Sequence, residues 1–363
     1  MTRDQTKMLN ILNKWYKKYF TDPQAVILTV LLVVGFTVVL TMGKMLTPVL
    51  AAVVIAYLLE GIVRYLEQHG VRRLMAVILV FIVFFTFVVF LVFGVVPLLS
   101  AQVSAFIKEL PQHLNVARET LMQLPQHYSF ISEKQVQDVA DMLNREIAVS
   151  GQQILTISLA SIPGLITLLV YLILMPLLVF FFMKDRALIL AWFSSLLPQD
   201  RSLASRVWRD MDLQLGNYVR GKFWEILIVG SVTYIAFVIL DLKYAILLSV
   251  LVGVSVLVPY IGATVVTVPV AVVAYFQWGW GTDFAVVLIV YGVIQALDGN
   301  VLVPLLFSEV VNLHPIAIIV SVLVFGGVWG FWGIFFAIPL ATLVNAVLVA
   351  WPRSPEPIDQ QSS

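Results

Sequence analysis

Residues 244–276 read YAILLSVLVGVSVLVPYIGATVVTVPVAVVAYF, with no charge anywhere and a break at Pro259-Tyr260-Ile261-Gly262 in the middle. Each half is about 15 residues, on the order of 22 Å of helix, which falls short of a roughly 30 Å hydrocarbon core. Two short helices meeting at mid-membrane fit this pattern better than one crossing. A second apolar block, 313–350, is interrupted by Gly326-Gly327, Gly330 and Gly333.

The two blocks share a signature. Asp241-Leu242, Ser249-Val250-Leu251, Gly262 and Pro269 are echoed about 71 residues later by Asn312-Leu313, Ser321-Val322-Leu323, Gly333 and Pro339. If each unit is a span plus a re-entrant hairpin, the first begins in the cytoplasm and the second outside, so the copies are inverted. Inverted repeats with Gly/Pro-broken helices point to the binding site of a secondary transporter. A broken helix leaves backbone N–H and C=O groups that a bilayer tolerates only where protein or water lines them. The alternative is that these glycines only let helices pack closely.

Composition agrees with a membrane setting. Sixty-one per cent of the 363 residues are apolar and 12% charged, against roughly 25% charged in a soluble domain. No lysine or arginine occurs between Lys243 and Arg353. The net charge of +1 and the spread of basic residues over short loops exclude a nucleic-acid partner. Zero cysteines remove disulfide and thiolate chemistry.

Apolar runs at 25–42, 46–63, 74–99, 154–183, 223–240 and 284–306 are long enough to span. The fold class expected is therefore an all-α polytopic membrane protein with about six full transmembrane helices plus two re-entrant hairpins as inverted repeats, or alternatively eight spans. Lysine and arginine number five in the N-terminal tail, three in 64–73 and seven in 184–222, against one in 43–45 and four in 100–153. The positive-inside rule then puts both termini in the cytoplasm.

The organisation that follows starts with an interfacial helix at 1–24, in which Arg3, Lys7, Lys14, Lys17 and Lys18 alternate with apolar residues. A three-span scaffold covers 25–99 and an extracytoplasmic helical loop 100–153, whose apolar stripe packs on its own protomer or on a neighbour. The fourth span is 154–183 and a cytoplasmic amphipathic segment with a basic face is 184–222. A transport unit occupies 223–350, and a disordered tail 351–363.

Within that unit Asp298 sits in Asp298-Gly299-Asn300, followed by Pro304. An acid at membrane depth is expensive unless it is paired or hydrated, and marks a functional site by default. Asp298 is thus a candidate proton or cation carrier, or else a carboxylate capping freed N–H groups. Asn300 and Gln295 could add neutral ligands. Cargo is expected near the bends, at Pro259 and Gly262 and at Gly326, Gly327, Gly330 and Gly333. Glu309, His314 and Asn345 are secondary candidates, Glu309 and His314 with an interfacial alternative and Asn345 with a helix-bridging one.

No enzyme motif stands out. None of His69, His113, His127 or His314 has a His-Glu-x-x-His context, and no Walker loop or dinucleotide fingerprint is present. No catalytic residue, metal or cofactor is expected.

From Leu257-Val258-Pro259-Tyr260-Ile261-Gly262-Ala263, through Asp298, Val303-Pro304, Leu313-His314-Pro315 and the glycines to Pro339-Leu340, the sequence resembles the autoinducer-2 exporter family. Tyr57-Leu58-Leu59-Glu60 and Asn217-Tyr218-Val219-Arg220-Gly221-Lys222 extend the resemblance. It implies a bacterial inner-membrane protein, a homo-oligomer, export of small molecules in one branch and sodium or lithium/proton antiport in others. The function expected is a permease moving a small polar solute by alternating access, as an exporter, with membrane lipid and a small-molecule or cation substrate as partners. A cation/proton antiporter and a non-transporting membrane scaffold are the alternatives.

Overall fold

The computed structural model describes residues 23–110, 162–195, 202–259, 261–307 and 313–350. The N-terminal segment expected as an interfacial helix, most of the 100–153 loop, Glu309 and the C-terminal tail lie outside the described residues. Every regular element among the described residues is helical. In chain order these are α1 (Pro23–Gln68), α2 (Arg73–Phe90), α3 (Ile162–Lys184), α4 (Arg186–Ser195), α5 (Ser202–Ile239), α6 (Ala245–Ser255), α7 (Ile261–Trp278), α8 (Thr282–Leu297), α9 (Val303–Phe307), α10 (Pro315–Phe335) and α11 (Ala337–Ala350).

Six described helical segments are long and apolar enough to cross a membrane: Met45–Gln68, Arg73–Leu110, Ser205–Ile239, Ile261–Trp278, Thr282–Phe307 and Pro315–Phe335. They differ in part from the six runs expected. The stretches 25–42 and 46–63 are one helix of 46 residues, so the chain does not reverse at 43–45. Gly43 is the only breaker there, and a lone glycine costs about 1 kcal/mol in a helix, too little to turn it. The helix also continues through Pro48. Likewise α2 runs on through a π turn at Leu91–Val95 to Leu110, well past the expected end at 99.

Two apolar cores divide the molecule. One joins Ala52, Ala56 and Val63 of α1 to Ala76, Val77 and Val80 of α2 and to Val179 and Met183 of α3. The other joins Val229 and Phe237 of α5 to Leu248 and Val252 of α6, Val270 of α7 and Val287 and Tyr291 of α8. A smaller cluster of Tyr218, Val219, Phe307, Ile318 and Ile338, with Val54 and Leu58 against it, connects α1 to the second half.

The chain turns back inside both blocks, between Ser255 and Gly262 and at Gly330. Even so, Ile261–Trp278 in the first, at 18 residues longer than the half-length expected, and Pro315–Phe335 in the second are each long and apolar enough to cross a membrane. In the first, Gly262 lies so close to the carbonyl of Ser255 that a Cβ would overlap it, and Gly262 N–H donates to Val258 O at 2.9 Å. The hairpin is clasped at its open end, where Gln277 accepts from Lys243 N–H at 2.8 Å and donates to Asp241 O at 2.7 Å. Its first arm, α6, is 11 residues, about 16 Å, too short to cross a roughly 30 Å core. In the second block Gly333 abuts the carbonyl of Phe325 in the same way, and the turn between them passes through Gly330 at φ 60°, a left-handed conformation suited to glycine. The repeated serines match too: Ser249 donates to Ile246 O at 3.0 Å and Ser321 to Ala317 O at 2.7 Å.

Candidate functional site

Both hairpin bends converge on one turn of α5. Lys222 is 5% exposed and donates to Val256 O, beside the first bend, at 2.8 Å. Tyr218, one turn earlier on the same face, donates to Phe335 O, beside the second bend, at 2.9 Å. Between them Gly221 leaves room for the Phe307 ring, whose edge lies 2.6 Å from where a Cβ would be. The Lys222 ammonium stands over that ring, 5.2 Å from its centroid.

Lys222 also pairs with Glu225, one helical turn on, at 2.7 Å. The side chains are 6% and 2% exposed, so this is a buried ion pair. It is a close charge contact rather than a well-directed hydrogen bond, since Glu225 Oε2 satisfies no hydrogen-bond geometry. Asp298 lies within electrostatic range of both groups. When all three are ionised the cluster holds two negative charges and one positive.

Asp298 opens a π turn, Asp298–Leu302, between α8 and α9. Pro304 lacks the N–H that would bond back to Asn300 O, so the regular ladder fails there. Asp298 Oδ1 and Gln295 Nε2 are both buried and have no hydrogen-bond partner among the described residues. Trp329 Nε1, near the second bend, is in the same condition. A native interior pairs nearly all such groups, so each of these exceptions calls for an explanation by strain, water, ion or ligand.

The remaining expected residues divide. Pro259 is half-buried in the first bend, its carbonyl accepting from Ile261 N–H at 2.7 Å. Gly262 and Gly333 are buried at the two reversals, Gly326 sits against Ile334, and Gly327 and Gly330 are exposed beside it. Asn300 is exposed and turns its amide to Ala296 O at 2.8 Å, within its own helix. His314 caps α10, its Nδ1 accepting from Ile316 N–H at 3.3 Å. Asn345 is exposed on α11. No group of three or more potential metal ligands occurs among the described residues.

Sequence reasoning missed Tyr218, Lys222 and Glu225. It left Lys222 at the end of the basic-faced segment 184–222 and singled out Asp298, not Glu225, as the acid at membrane depth. In fact α5 is one helix from Ser202 to Ile239, with no break at 222. The available signal was the Lys222–Glu225 spacing at the head of an apolar run, which places both groups on one face.

The pattern of the family described as AI-2E family transporter matches residues 26–353. The chain is 46% identical over 346 residues to the Escherichia coli (strain K12) protein named "Putative permease PerM", an alignment covering 95% of this chain and 98% of that one. It is 25% identical over 306 residues to "Putative transport protein YueF" of Bacillus subtilis (strain 168), covering 82% of each. Against "Putative transport protein YrrI" of the same organism it is 25% identical over 310 residues, covering 84% of this chain and 86% of the relative.

Proposed function

The chain belongs to the AI-2E family of transporters, and from that premise we propose that it is an inner-membrane permease exporting a small polar solute by alternating access. In this reading the two hairpins are re-entrant and inverted, and the site lies where their bends meet the Tyr218–Glu225 stretch of α5. One observation carries it: Lys222 and Tyr218, four residues apart on one helix face, each hold the backbone beside one bend. A single polar group binding there touches both gates at once, so its arrival biases which hairpin is closed.

Asp298 and Glu225 supply the coupling. Two carboxylates against one ammonium leave a buried excess of one negative charge, which a proton or a cation neutralises. With the proton or cation bound, Lys222 is released from part of its charge pairing and its hold on Val256 O changes. The polar lining that a solute needs comes from Gln295 Nε2, Asp298 Oδ1 and Trp329 Nε1, which have no other partner among the described residues.

The presence of Glu225 as a second buried acid favours one further reading, cation/proton antiport with the ion itself as cargo. Reconstituted vesicles with an imposed pH gradient separate the two. Sodium-dependent proton release identifies antiport, and its absence with solute-dependent proton movement identifies a solute permease. Under either, Asp298→Asn and Glu225→Gln each lower coupled flux at least tenfold while the protein still inserts and folds. Normal flux in both variants would remove the cluster from the mechanism.

A further inference from the structure

A second polar cluster lies outside the hairpin site, at the end of α1 that leads into α2. Glu60 is buried there and faces three guanidinium groups: Arg186 at 2.9 Å, Arg73 at 3.3 Å and Arg64 at 3.5 Å. Arg73 has a further outlet in Glu67 at 3.3 Å and in Met183 O at 2.8 Å. Across the cleft stands Arg220 of α5, whose guanidinium donates to Asn217 Oδ1 at 2.9 Å and has no carboxylate within 4 Å among the described residues. Tyr57, Glu60, Gly61, Arg64, Arg186 and Arg220 line a small, open-mouthed cleft.

The charge balance of this cleft is one-sided. Three arginines line it against a single carboxylate, and the nearby Asp212 accepts from the Tyr57 hydroxyl at 2.8 Å. Each guanidinium carries five N–H donors, whereas a carboxylate offers about four lone-pair sites, so donors remain over even when Glu60 is saturated. Arginine forks match phosphate oxygens two at a time. Basic pockets between membrane helices near the bilayer surface hold phosphate head groups by this chemistry.

We infer that the cleft between α1, α4 and α5 is a binding site for a phosphate group, held by Arg64, Arg186 and Arg220. Glu60 orients Arg186 and Arg64 and offsets the mutual repulsion that would drive them apart. Bound phosphate ties α5 to α1, and α5 is the helix on which Lys222 and Tyr218 grip the hairpins. The same chemistry is offered by an anionic lipid head group and by free inorganic phosphate, and the experiment distinguishes them.

The full chain, purified and delipidated, is titrated with phosphatidylglycerol, with phosphatidylcholine and with inorganic phosphate, reading bound mass by native mass spectrometry and thermal unfolding in parallel. Because Arg186→Gln also opens the Glu60 ion pair, the decisive variant is Arg220→Gln, which leaves Glu60 and its three arginines intact. Phosphatidylglycerol binding at least tenfold tighter than phosphatidylcholine, and about tenfold weaker in Arg220→Gln, identifies a lipid head-group site. Stabilisation by inorganic phosphate with the same dependence on Arg220 identifies a soluble phosphate site. Binding that is unchanged in Arg220→Gln, or no preference for phosphatidylglycerol over phosphatidylcholine together with no stabilisation by inorganic phosphate, overturns the inference.

Discussion

Glu60 and Glu225 are both buried carboxylates on long helices, yet their surroundings are opposite. Glu60 has three arginines around it, two of them more than a third exposed, so its charge is over-compensated and partly solvated. Glu225 has one lysine, itself 6% exposed and shared with a backbone carbonyl, and a second acid in Asp298 within range. The first arrangement fastens α1, α2 and α4 to one another. The second is short of positive charge in a low-dielectric setting, where an unbalanced ion costs several kcal/mol. A fixed joint and a site that exchanges a charge can therefore be told apart by counting compensating groups around each acid.

The largest effect that separates them is expected at Lys222. Replacing it with Met strands Glu225 and Asp298 without a cation and costs about 3–5 kcal/mol of stability. Adding Glu225→Gln to Lys222→Met should recover most of that loss, as thermal unfolding in detergent would reveal. Failure of the double variant to recover means that the Lys222 bond to Val256 O, not charge balance, dominates. Glu60→Gln should cost less, about 2 kcal/mol, since its arginines regain water when the acid is neutralised. It should also leave the ion or solute dependence of flux unaltered, whereas Glu225→Gln changes it.

Smaller effects sharpen the role of the bends. Gly262→Ala forces a methyl onto Ser255 O and should destabilise by about 1–3 kcal/mol, with flux falling in parallel because the first hairpin reopens. Tyr218→Phe removes one hydrogen bond to Phe335 O, worth about 1 kcal/mol, and should raise hydrogen exchange around the second bend while sparing the first. Equal change at both bends in Tyr218→Phe would contradict independent grips. Gln102→Ala is expected to be the mildest: it removes the acceptor for Leu247 N–H, 2.9 Å away at the start of α6, and should loosen only the base of the first hairpin.

The hairpins were legible because their causes are local. Gly262 and Gly333 stand where only a missing Cβ lets the chain pass a carbonyl seven or eight residues back, and that requirement is written in the residue itself. The convergence on α5 was not legible. Lys222 looks like any basic residue at a membrane edge until Val256 arrives from the hairpin to accept its proton donor, and this contact joins residues 34 apart. The same holds for Arg73 and Arg186, which meet Glu60 only once α2 and α4 have packed on α1. The continuity of α1 was misread for the opposite reason, since a glycine and a lysine look like a turn in a hydropathy trace but cost a helix little. Asp298 was found by its setting alone, an acid in a long uncharged tract, while Asn300 and His314, chosen beside it, serve their own helices.

The most direct measurement uses the absence of cysteine from the chain. Val258→Cys and Gly327→Cys place a single thiol in each bend, at positions where Val258 is half-buried and nothing crowds Gly327. In sealed vesicles both should react with a membrane-impermeant maleimide, and adding Asp298→Asn should change the rates in opposite directions, one bend closing as the other opens. Thiols that stay unreactive from either face, or that respond identically to Asp298→Asn, would mean dry, independent hairpins and no shared site.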